Sequence, residues 1–170
     1  MGLYAPDDDL YFWLGYFNSS IANEFINFRL GNVDSRSLYQ AGVVTPTPIS
    51  EMNTEQRSKV RSLAKENYES LQQLYIFSEF SESFDPGQFL AQSPEDILCQ
   101  AESIQRLLTD NYIKIDKCFM EVFNFSEEDF ESYNTHLDNY RSAIANQLAF
   151  FSPSNMDYLS VLIGAIFGRY

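Results

Sequence analysis

Residues 9–31 read DLYFWLGYFNSSIANEFINFRLG, and this stretch decides the fold class. Apolar side chains recur every three or four positions, at Leu10, Trp13, Leu14, Phe17, Ile21, Phe25 and Phe28, the period of one face of an α-helix. Asp7, Asp8 and Asp9 stand before them as acidic caps that favour the positive end of a helix, and Gly31 is placed to stop it. The pattern predicts one amphipathic helix over 9–30 that buries this face.

Outward from that helix, the polar residues 32–40 lead into AGVVTPTPI at 41–49. This predicts a short strand at 41–45, ended or held at an edge by Pro46 and Pro48, which cannot donate ladder hydrogen bonds. Asn53 or Thr54 can cap a second helix with Glu55 in its first turn. Val60, Leu63, Asn67, Leu71, Leu74 and Phe77 give that helix a continuous face for a partner until it fades near Phe80. SESFDPG at 81–87 reads as a turn. Ser93-Pro94-Glu95-Asp96 is a cap, a first-position proline and two acids, and so starts a further helix. Ile97, Ala101, Ile104, Leu108, Ile115, Phe119 and Val122 form its face, with Asn111 marking a register choice or a kink. The helices over 54–80 and 94–123 thus predict an antiparallel hairpin. Ser126-Glu127-Glu128-Asp129 starts another helix by the same capping logic, residues 134–152 suggest one broken at Pro153, and a last helix opens at Ser154 or Asn155. The expected fold is mainly α: a helical bundle with long antiparallel helices and at most one short strand segment.

Composition limits what such a bundle does. A chain of 170 residues with 16% aromatics has the apolar mass for a packed core. No run approaches the ~20 apolar residues of a membrane span. The N-terminus shows no basic region followed by an apolar leader, so the expected location is the cytoplasm, with no membrane partner. Cys99 and Cys118 would lie about 28 Å apart on one helix, beyond disulfide reach. With His136 as the sole histidine, the chain has too few ligands for a zinc site of Cys and His, and too few partners for a cysteine nucleophile. Net charge is −13, from 24 acidic and 11 basic residues. Phosphate binding depends on Lys and Arg, so the average surface repels DNA.

Three stretches nevertheless resemble a family of DNA enzymes. Leu14-Gly15-Tyr16-Phe17-Asn18-Ser19 is similar to the leucine-glycine-x-x-asparagine-serine helix that closes target-recognition domains of bacterial DNA methyltransferases and restriction enzymes. Gly164-Ala165-Ile166-Phe167-Gly168-Arg169-Tyr170, with Leu159 and Ser160 before it, resembles a helix far into large adenine-specific methyltransferases of the single-chain (type IIG) restriction-modification and BREX phage-defence groups. Ile115-Asp116-Lys117-Cys118-Phe119, continuing to Asn124 and Phe125, is similar to their aspartate-x-x-phenylalanine-x-x-x-tyrosine-glycine-leucine stretch, with Asn124 where glycine is usual and Phe125 where leucine is. The resemblance implies a fragment of such an enzyme. Residues 1–50 would be the end of a target-recognition-like region and 51–170 a helical bundle region, together one unit cut from a longer chain. The apolar run LSVLIGAIFGRY at 159–170 fits a buried helix in a chain cut from something longer.

The parent would methylate adenine with S-adenosylmethionine. Its glycine-rich cofactor turn and its Asn-Pro-Pro-Tyr type motif, which holds a flipped base, do not occur in this sequence. No catalytic, cofactor-binding or metal-ligating residue is therefore assigned. The motif residues Leu14, Gly15, Asn18, Ser19, Gly164, Phe167, Gly168 and Arg169 speak to parentage; Gly164 and Gly168 suit close helix packing, and Arg169 a C-terminal cap. Candidate DNA contacts are Asn32, Arg36, Ser37 and Gln40 in the irregular segment, with Lys59 and Arg61 in the local basic cluster. The expected partners are the remainder of the methyltransferase and, through it, DNA. The alternative is a free-standing acidic helical module that binds proteins, including as a DNA mimic.

Overall fold

The computed structural model describes residues 7–30, 48, 51–78, 81–129 and 155–166. These are mainly helical, with no strand among them. The expected strand at 41–45 and the expected helix over 134–152 lie outside the described residues. The principal helices are α1 (Asp7–Phe17), α2 (Ser20–Leu30), α3 (Thr54–Tyr75), α4 (Pro86–Ala91), α5 (Pro94–Val122) and α6 (Asn155–Ile166).

The helix starts follow local chemistry. At α3, Asn53 Oδ1 accepts from the Gln56 amide at 2.8 Å while Gln56 Oε1 accepts from the Asn53 amide at 3.2 Å, a reciprocal capping box. At α5, the Ser93 hydroxyl oxygen accepts from the Asp96 amide at 3.1 Å and its proton goes to Asp96 Oδ2 at 2.8 Å. The segment expected as a turn, SESFDPG, contains a further helix start. Asp85 Oδ1 accepts from the Gly87 and Gln88 amides at 2.9 and 3.1 Å, and Pro86 takes the first position of α4. Those bonds hold the Asp85 carboxyl below its usual range.

α5 stops at a left-handed residue. Asn124 has φ 58°, its amide donates to Glu121 O at 3.2 Å, and the Phe125 amide donates to Met120 O at 3.0 Å. This is a Schellman motif, whose left-handed position favours glycine and tolerates asparagine next best. Upstream, α5 runs unbroken through Asn111, whose buried amide oxygen accepts from Lys114 Nζ at 3.4 Å.

The N-terminal region corrects two expectations. The single helix over 9–30 is two helices, broken at Asn18 and Ser19. The buried face is only partly the expected one: Ile21 is buried and Trp13, Phe17 and Phe25 pack against the core, but Leu10, Leu14 and Phe28 are exposed, Phe28 to 88%, while Phe12, Tyr16, Ala22 and Ile26 are buried. The break resets the phase of the helix, and α1 turns its Gly15 side to α3. Asp9 also proves to lie inside α1 rather than ahead of it as a solvated cap.

Two compact units make up the chain, one of Met1–Lys65 with Asp110–Tyr140, the other of Glu66–Thr109 with Arg141–Tyr170. The start of α3 is grouped with the end of α5, and the end of α3 with the start of α5, the order of an antiparallel pair. In the first unit the core joins Phe12 and Tyr16 of α1, Ile21 and Ala22 of α2, Val60 and Ala64 of α3, and Ile115, Cys118, Phe119 and Met120 of α5. In the second, Phe77, Phe89, Ile97 and Val161 cluster, with Ile76 and Phe84 against them. The faces expected for α3 and α5 are the buried ones: Val60 and Leu74 on the first, with Phe77 just past its end, and Ile97, Ala101, Ile104, Leu108, Ile115 and Phe119 on the second.

Gly15 sets how closely α1 approaches α3. A Cβ added there would stand 2.9 Å from Val60 Cγ1 and 3.1 Å from the Ala64 Cβ. Val60 is β-branched and fully buried, and the Ala64 methyl is fixed to the backbone, so neither yields easily. Overpacking costs about 1–3 kcal/mol, against about 1 kcal/mol of helix propensity gained on replacing glycine. Gly15→Ala is expected to destabilise in urea titrations. In a cycle with Val60→Ala the two losses should sum to more than the double variant shows; strict additivity would deny the close approach.

Candidate functional site

The break between α1 and α2 gathers most of the polar chemistry buried in the first unit. Asn18 closes α1, its side-chain amide donating to Leu14 O at 2.8 Å and its backbone amide to the same oxygen at 3.1 Å. Ser19 does two jobs. Its hydroxyl donates to Tyr16 O at 2.6 Å, and its oxygen accepts from the Ala22 amide at 3.2 Å, the bond of an N-cap residue. The remaining amides at the start of α2 are met from α5. Asp116 Oδ1 accepts from the Ser20 amide at 2.9 Å, the Ile21 amide also donates to this carboxylate, and the Ser20 hydroxyl donates to Oδ2.

Asp116 is 1% exposed. Burial pushes its carboxyl up to about 6, although the bonds from the Ser20 hydroxyl and the Ser20 and Ile21 amides pull it down. Tyr112, on the same helix, is raised by its own burial and by the negative charge of Asp116. Tyr16 is raised to about 12 by burial, and its hydroxyl donates to Pro48 O at 2.6 Å.

A second polar group joins α1 to α3. Asp9 Oδ1 accepts from Arg57 Nη2 at 3.0 Å and from Arg61 Nη2 at 3.3 Å, and the Arg57 guanidinium lies 4.0 Å above the Phe12 ring. All three charged side chains are about one-third exposed, so each ion pair contributes only about 0–1 kcal/mol. Lys59 is exposed and lies beside the buried Cys118 thiol. Burial raises that thiol, and the lysine charge and hydrogen bond oppose the rise. Cys99 and Cys118 are both free, the first exposed and the second buried. Among the described residues no three His, Cys, Asp or Glu side chains are placed to hold a metal.

Of the residues singled out in the sequence, Leu14, Gly15, Asn18 and Ser19 come together at the helix break. Arg61 is engaged with Asp9, while Lys59 faces Cys118. Gly164 is buried in α6. Asn32, Arg36, Ser37, Gln40, Phe167, Gly168, Arg169 and His136 lie outside the described residues. The sequence reading gave Asp116 no role beyond its motif position. Its signal was an acid between Ile115 and Phe119 on an otherwise apolar face.

Comparison with protein-family models, with curated proteins and with solved structures found no match. No helix of the described residues is long and apolar enough to cross a membrane.

Proposed function

We propose that this chain is a non-catalytic part of a large adenine-specific DNA methyltransferase or restriction-modification enzyme, a helical scaffold that positions target recognition against the catalytic domain. One observation carries the reading. Ser20, directly after the first stretch that resembles the family, bonds across 96 residues to Asp116 in another. Tyr16 and Phe119 from the same stretches stack edge to face, their ring centres 5.2 Å apart. Motif residues with no chemistry of their own then have a reason to occur together: they build one joint.

The chain's residues do not fit S-adenosylmethionine, since neither its glycine-rich turn nor the base-holding motif occurs. In this reading the cofactor, the flipped adenine and the cytoplasmic setting belong to the parent. Purified, the chain should transfer no methyl group to DNA and should bind duplex DNA no more tightly than about 10⁻⁴ M at physiological salt. Methyl transfer in a radiolabelled assay would end the proposal. Genomic sequence reading in frame into an Asn-Pro-Pro-Tyr type motif upstream of the segment would support it.

The second reading, an acidic module that binds a basic protein, is favoured by the charge distribution. No Lys, Arg or His occurs between Lys65 and Arg106, while acidic residues recur from Glu66 to Glu102. As a DNA mimic the chain would compete with DNA for a basic enzyme groove, and absence of competition at low salt would count against that form of it.

A further inference from the structure

The break between α1 and α2 replaces main-chain bonds with side-chain bonds, one for one. The helical ladder runs as far as the Asn18 amide, which donates to Leu14 O, and resumes at the Asn23 amide, which donates to Ser19 O at 3.2 Å. Between them the Ser19 amide still reaches Tyr16 O, at 3.0 Å. In a continuous α-helix the amides of Ser20, Ile21 and Ala22 would donate to Tyr16 O, Phe17 O and Asn18 O. Here the Ser20 and Ile21 amides donate to the Asp116 carboxylate, and the Ala22 amide donates to Ser19 Oγ. The backbone itself does not demand the break. Residues 18–22 include no glycine or proline, and none of them has a positive φ. The series from Leu10 to Phe28 keeps its helical spacing straight through them, and its two ends stand about five turns apart. The break is therefore sustained by one hydroxyl from within and one carboxylate from α5.

We propose that residues 7–30 are a two-state element: broken at Asn18 and Ser19 while Asp116 holds the start of α2, and one continuous helix once that carboxylate is withdrawn. Straightening leaves no amide without an acceptor, because each freed one has a carbonyl of its own helix four residues back. It also sets Leu10, Leu14 and Phe28, all exposed in the broken form, on one side of a single helix. Since Asp116 belongs to α5, the course of α2 is tied to the position of α5 within the first unit. A displacement of α5 that costs the carboxylate its bonds shifts the population toward the continuous form. The device stands on these hydrogen bonds, whether or not the chain belongs to a methyltransferase.

The test is a distance measurement in the full chain. Nitroxide labels at Leu10→Cys and Phe28→Cys occupy exposed positions; Cys99→Ser removes the exposed native thiol, and Cys118 is too buried to take a label. A straight helix separates the two labelled positions by about 27 Å, and any bend between them brings them closer. Pulsed electron resonance should give the shorter distance in this background. Adding Ser19→Ala and Asp116→Ala should create a population at the longer one. Ser20→Pro on top of these should abolish that population, because proline suits the first position of a helix and not its interior. Should the alanine pair lose its helical circular dichroism, Ser19→Ala with Asp116→Leu fills the buried position without supplying an acceptor and takes its place. A folded variant that keeps only the shorter distance would overturn the proposal, as would a longer distance that survives Ser20→Pro. Loss of the helical signal in both variants would overturn it too, because the broken form would then be the only one to which this chain folds. None of these outcomes touches the methyl-transfer assay, so the two proposals fail separately.

Discussion

Phe119→Ala is expected to lower the unfolding free energy by about 3–5 kcal/mol, while Phe28→Ala changes it by less than about 0.5 kcal/mol. Phe119 is 2% exposed and lies in the core that joins α1, α2, α3 and α5. Its ring packs 5.2 Å from Tyr16 edge to face and 6.2 Å from Phe12. Such aromatic pairs are worth about 0.5–1.5 kcal/mol beyond their buried area. Truncation therefore removes both transfer energy and ring geometry, and leaves a void between neighbours that are themselves held. Phe28 is 88% exposed and loses nothing comparable. Urea denaturation of the two variants decides the matter. Similar losses would mean that the periodic series Leu10 to Phe28 marks the buried face after all, and that the face through Phe12 and Tyr16 is wrong.

That contrast also shows what the sequence disclosed and what it withheld. The faces of α3 and α5 were legible because each carries one uninterrupted period over several turns, and no alternative phase buries as many apolar groups. Over 10–17 every position but Gly15 is apolar or aromatic, so more than one phase satisfies the spacing. The choice among phases depends on Gly15 meeting Val60 and Ala64, a contact between distant parts of the chain. The break at Asn18 and Ser19 did leave a local signal, two cap-forming residues inside a helical pattern, but periodicity runs on across it. Asp85-Pro86 repeats the cap-and-proline signal of Ser93-Pro94, yet the glycine after it made a turn the easier reading. For the candidate site, the types of residue were visible and their partners were not. Nothing near Asp116 in sequence says that its carboxylate ends on Ser20, and nothing near Asp9 points to Arg57 and Arg61.

Asp116→Ala should cost about 2–4 kcal/mol, because the Ser20 and Ile21 amides at the start of α2 would be left buried without acceptors. The pH dependence separates this role from simple packing. The three hydrogen bonds favour the charged carboxylate, but burial outweighs them, and the folded group titrates near 6 rather than at the ordinary 3.8. Between those values the folded state holds more protons than the unfolded one, so the contribution of Asp116 to stability falls as pH rises. It is fully present below the unfolded value and is lost as pH passes through about 6. Asp116→Asn removes the titration while keeping one oxygen for the Ser20 amide. Wild type should therefore hold its greatest advantage over Asp116→Asn near pH 4 and lose part of it by about pH 7, read as the difference between parallel urea titrations. A difference that grows with pH would mean that the hydrogen bonds outweigh burial. The carboxylate would then be an ordinary stabilising cap, and its bond from α5 to the start of α2 would be strongest when Asp116 is charged.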